Sequence, residues 1–65
     1  MPRYSQSNAI FNYIESNRES FANLVHNEFG YDKNSVIAAI MMYGSTTRSV
    51  AVTVLKKLEE AGIQI

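Results

Sequence analysis

The residues of this chain with any capacity for chemistry are few, and their spacing says what they can do. His26 is followed by Asn27 and Glu28, and Glu15 and Glu19 stand upstream. A histidine and carboxylates are the ordinary materials of acid–base catalysis. Here the carboxylates fall at helical spacings that read as solvated surface. There is no cysteine and no serine at a nucleophile-elbow spacing. The three glycines stand singly at helix ends, so no loop cradles a phosphate. One histidine and six scattered carboxylates do not make a zinc or calcium cage. The chain reads as neither an enzyme nor a cofactor or metal carrier.

A second set is denser. Thr46, Thr47, Arg48, Ser49, Val52, Thr53, Lys56 and Lys57 lie within twelve positions, with no acid before Glu59. Arg48, Lys56 and Lys57 are three of the six basic residues, a local positive stripe in a chain of net charge zero. Side chains of this kind on one helix can donate to base edges and phosphates. Zero net charge weighs the other way, because domains that grip phosphate usually carry a basic excess. How the charges are distributed therefore decides.

These residues need elements to hold them. The chain has 65 residues, 46% of them hydrophobic, so a single domain spanning 1–65 is expected, with residues 1–6 as a flexible lead. A chain this short buries only about 60% of its unfolded surface, so tight helix packing or self-association must add stability. No run approaches the length of a membrane span, and the opening Met1–Ser7 lacks a signal peptide's apolar stretch. A cytoplasmic, soluble domain is the expectation.

Helical spacing and glycine corners predict an all-α bundle of about four short helices. Ser5 or Ser7 caps the first, with Ile10, Phe11 and Ile14 on its inner face. Ser16 with Glu19 makes a capping-box pattern, so a second helix starts there or at Ser20, burying Phe21, Leu24, Val25 and Phe29. The alternative is one unbroken helix through both; two cap candidates and three polar residues favour the break. Phe29-Gly30-Tyr31 reads as a helix end, with the aromatic folding back. Asp32 or Asn34 caps a third helix, about 35–43, apolar on all sides and so buried or at a subunit interface, and Gly44 ends it. Thr46 or Thr47 opens the fourth. Thr47, Ala51, Val54, Leu55 and Leu58 share its inner face, and Arg48, Ser49, Val52, Thr53 and Lys56 its outer one. Ala61-Gly62-Ile63 stops it, with Ile63 packing back on Leu58.

The segment Thr46 to Ile63 resembles the recognition helix of winged-helix and helix-turn-helix regulators. Leu55, Leu58, Glu59, Gly62 and Ile63 stand where those families show Leu-x-x-Leu-Glu-x-x-Gly-Ile. Their two-stranded wing is not expected from Gln64 and Ile65, which follow Ile63 here, and the preceding helix is more apolar than theirs. The resemblance implies a small transcription regulator that binds double-stranded DNA as a homodimer, of a kind common in bacteria and phages. Arg48 would pair with guanine, Ser49 and Thr53 would meet bases or phosphate, and Val52 a thymine methyl. Lys56, Lys57, Thr46 and Thr47 would hold the backbone. A second resemblance competes. Phe29-Gly30-Tyr31, Val36 to Ile40 and Gly44 are similar to the loop and second helix of ubiquitin-associated three-helix bundles. That implies a protein-binding module, an adaptor or inhibitor, docking through an apolar patch around Tyr31, Met42 and Tyr43.

Overall fold

The structure, a computed structural model, describes residues 2–63, and side chains from Ser7 onward. Four α-helices follow in order: α1 Pro2–Ser16, α2 Arg18–Leu24, α3 Lys33–Gly44 and α4 Arg48–Glu60. A π-helical turn, Val25–Phe29, prolongs α2. No strand occurs among the described residues, so the all-α bundle holds.

Proline's fixed φ and missing N–H suit a first helical position, and α1 begins at Pro2, ahead of both serines expected to cap it. Ser7 is a buried interior residue of that helix. The break before α2 falls where two cap candidates and polar residues crowd, but Asn17 makes it, not the Ser16–Glu19 box. Its backbone N–H is shared between the carbonyls of Tyr13 (3.0 Å) and Ile14 (3.2 Å), and its side-chain amide donates to Tyr13 O at 2.8 Å. Its own carbonyl then accepts from the Phe21 N–H at 2.9 Å. One residue thus closes α1 and opens α2, and Ile14 and Phe21 both reach the core.

The π turn ends at Gly30, whose φ of 82° and ψ of −165° belong to a region that essentially only glycine enters. Tyr31 then turns its ring onto His26, centroids 5.1 Å apart, the fold-back the sequence predicts. Asp32 caps α3 by accepting the Ser35 N–H, which holds its carboxyl below the ordinary carboxylate range. The Ser35 hydroxyl donates to Phe29 O at 2.7 Å and ties the two elements together.

At the far end of α3 the expected roles shift by one residue. Ser45, not Gly44, takes the left-handed conformation (φ 48°, ψ 50°), and the Thr46 N–H bonds back to Met41 O at 3.2 Å. Gly44 instead lets α1 come close: a Cβ there would lie 2.7 Å from Ile10 Cδ1. After α4, the N–H groups of Gly62 and Ile63 bond to Glu59 O (3.1 Å) and Leu58 O (3.0 Å). This is a Schellman ending, and Ile63 packs against the core as expected.

The core joins Ile10 and Ile14 of α1, Phe21 and Val25, four residues of α3, and Val50, Ala51, Val54 and Leu58 of α4. α4 packs against both α1 and α3. Burying each large side chain contributes about 1.5–3 kcal/mol before entropy is counted. α3 is less enclosed than its composition suggests: it buries Val36, Ile37, Ala39 and Ile40 but leaves Met42 and Tyr43 exposed. No described helix is long and apolar enough to cross a membrane.

Candidate nucleic-acid interface

Ser45, Thr46 and Thr47 join α3 to α4 as a three-residue link. Thr47 is the N-cap: its backbone is extended and its hydroxyl oxygen accepts from the Val50 N–H at 3.4 Å. The hydroxyl proton stays available to an outside acceptor. Thr46 points the other way. Its Oγ1 is buried without a hydrogen-bond partner, out of reach of a phosphate.

Each residue advances about 100° around an α-helix. On that wheel Arg48, Ser49, Val52, Thr53 and Lys56 share one arc of α4 with Glu59 and Glu60, and the buried residues occupy the rest. Arg48, Ser49 and Lys56 are exposed. Val52 is half-buried and leans on the core. Thr53 is half-buried, and its hydroxyl donates to Ser49 O at 3.0 Å; its lone pairs can still accept. Lys57 falls on the flank, half-buried, beside the line of Val50 and Val54. The eight expected residues therefore divide. Arg48, Ser49 and Lys56 face outward together, Thr47 adds its hydroxyl, Val52 and Thr53 are reachable only in part, and Lys57 and Thr46 stand off the arc.

Among the described residues Arg48 meets no carboxylate within ion-pair distance. Its Nη2 donates to the side-chain oxygen of Asn34 at 3.4 Å, a long bond between exposed groups that a stronger acceptor can displace. Among the described residues the one ion pair joins Lys33 to Glu59 at 3.4 Å, both solvent-exposed, which partly offsets the acid at the far end of the arc. Adjacent residues at the head of α3, Lys33 and Asn34, thus touch opposite ends of α4. The sequence reading missed Asn34, because its tie to Arg48 spans fourteen positions and no local pattern marks it.

The second expected surface separates into two. Tyr31 and Tyr43 stand twelve positions apart at opposite ends of α3. Tyr31 borders a notch with Lys33, Val36, Leu55 and Ile63, while Tyr43 packs on Phe21 and Tyr13 with centroids at 5.4 and 5.8 Å. No cluster of three or more metal-ligand side chains occurs among the described residues. Comparison with protein-family models, with curated proteins and with solved structures gives no match.

Proposed function

We propose that the chain is a small DNA-binding regulator that presents α4 to the major groove, two copies engaging adjacent half-sites. The observation that supports this reading is that Arg48, Ser49 and Lys56 face outward together on a helix entered through a three-residue turn, with no ion pair to Arg48 or Lys56 among the described residues. A major groove admits one helix of this width. Arg48 supplies the bidentate donor suited to guanine. The Thr47 hydroxyl meets phosphate near the positive end of the helix, and Lys56, two turns further along, meets phosphate through its own charge.

Fluorescence anisotropy with a labelled duplex of about 20 bp, long enough for two turns, tests it. Affinity falls steeply with salt, and Lys56→Ala lowers the slope of log K against log salt by roughly 0.9, one phosphate contact. On a selected sequence Arg48→Ala costs about 1–3 kcal/mol. Absence of binding at low salt removes the reading.

A second reading, a protein-binding module, is favoured by the exposure of Tyr31, Met42 and Tyr43. With these split between the two ends of α3, one partner would have to run along the helix. That module shows no salt-sensitive DNA binding, and a partner broadens the resonances of all three residues.

A further inference from the structure

Two unfavourable features meet in the link from α3 to α4. Ser45 closes α3 in the left-handed region (φ 48°, ψ 50°), the one non-glycine residue with positive φ among those described. Such a closure ordinarily takes glycine, because a Cβ makes the left-handed backbone costly. The residue after it ordinarily lays an apolar side chain on the last helical turn. Here that residue is Thr46, whose Oγ1 is the one buried side-chain oxygen or nitrogen without a hydrogen-bond partner among the described residues. An unpaired buried hydroxyl weighs about fivefold or more against the state that contains it.

Little holds this arrangement in place. The Thr46 N–H reaches Met41 O at 3.2 Å, an acceptor it shares with the Ser45 N–H. The bond by which Thr47 caps α4, 3.4 Å, is longer than an N–H donor ordinarily makes. Both flanks are anchored: Gly44 lies against Ile10, and Val50 and Ala51 are buried in the core. Movement is thereby confined to the link. Adjacent residues that both go against their local backbone mark a segment kept for movement or binding rather than for stability.

We propose that the link has a second conformation, in which Ser45 leaves the left-handed region and Thr46 turns its hydroxyl out to solvent. The change loses one shared backbone bond and the burial of a threonine side chain. It regains hydration of the hydroxyl and an ordinary backbone at Ser45. These opposing effects are of similar size, so the outward state is populated at about 1–10%. There Thr46 joins the Thr47 hydroxyl at the head of α4, which the proposed function turns toward phosphate. That consequence rests on the DNA reading: a duplex selects the outward state, because only in it does Thr46 find an acceptor.

Relaxation-dispersion NMR of the full chain reads the exchange directly. Dispersion is expected at the amides of Ser45, Thr46 and Thr47 and not along α3. Thr46→Val keeps the shape and removes the hydroxyl, and Ser45→Gly removes the backbone cost. Each lowers the outward population about fivefold, flattens the dispersion and raises the urea midpoint. Flat profiles in the parent, or dispersion that Thr46→Val leaves unchanged, overturn the proposal. Adding a duplex of about 20 bp at low salt separates it from the reading it extends. As the duplex binds, the Thr46 amide shift moves toward that of the minor state. Binding that leaves Thr46 unmoved overturns the selection of the outward state. No binding, with the exchange of the free protein intact, sinks the DNA reading and leaves the two-state link standing.

Discussion

Replacing Gly44 with alanine pits two effects of similar size against each other, and the structure decides between them. Alanine is favoured over glycine by up to about 1 kcal/mol inside a helix, less at a last position such as this one. The added Cβ, however, would sit 2.7 Å from Ile10 Cδ1, 3.0 Å from Cγ1 and 3.5 Å from Cγ2. Carbon atoms in contact prefer about 3.5–4.0 Å, so Ile10 has to retreat by about 1 Å. Ile10 borders a groove between α1 and the end of α3 and has somewhere to go. Turning off its rotamer costs about 0.5–1.5 kcal/mol, and general overpacking about 1–3 kcal/mol. Gly44→Ala therefore destabilises by about 1 kcal/mol, a noticeable share of the roughly 3–10 kcal/mol expected for a chain of this length. Ile10→Val removes the atom in closest conflict, so in that background the same change is close to neutral. Urea unfolding of the four proteins, compared at constant m, measures a coupling of about 1 kcal/mol, above the usual additivity error of about 0.5 kcal/mol. If Gly44→Ala stabilises the parent, or costs the same in both backgrounds, the close approach of α1 and α3 is refuted.

Acid sensitivity follows from the cap of α3. The Ser35 N–H lowers the folded-state pKa of Asp32, so its contribution is present above the unfolded value of about 3.9 and is lost as pH falls through the folded one. Asp32→Asn keeps a capping oxygen but titrates no proton; its stability gap to the parent, followed by thermal melts from neutral to acid pH, narrows toward the acid end, and a constant gap contradicts the assignment. Gly30→Ala forces a side chain into a backbone region reserved for glycine and costs about 1–3 kcal/mol by urea unfolding, although nothing lies within 4 Å to clash with it. A neutral result there would mean the π turn relaxes.

The helices and most of their ends were legible because they rest on local chemistry. Asp32 and Thr47 cap by bonding three residues ahead, and Gly62 with Ile63 closes α4 through bonds that a short motif encodes. What escaped depends on distant neighbours. Val50 is buried because α1 and α3 enclose α4 on both sides, and Met42 and Tyr43 stay exposed because the close approach of α1 to the end of α3 falls on Gly44 and leaves much of both side chains uncovered. The π turn has no period distinct from a short α-helix over five residues. Gly44 reads as a helix stop, yet its role is set by Ile10, thirty-four positions earlier. At the candidate site the outward set of Arg48, Ser49 and Lys56 was legible from the helical wheel. The inward turn of Thr46 and the tie from Arg48 to Asn34 were not, since both depend on how α3 meets α4.

The claim that α4's outer arc is the contact face is tested most directly by titrating a short duplex into the isotopically labelled protein at low salt and following backbone and side-chain resonances. The account predicts shifts concentrated at Thr47, Arg48, Ser49, Val52 and Lys56, and at Asn34 as Arg48 leaves it. Unmoved resonances along α4, or shifts gathered at Tyr13 and Tyr43 instead, would contradict it.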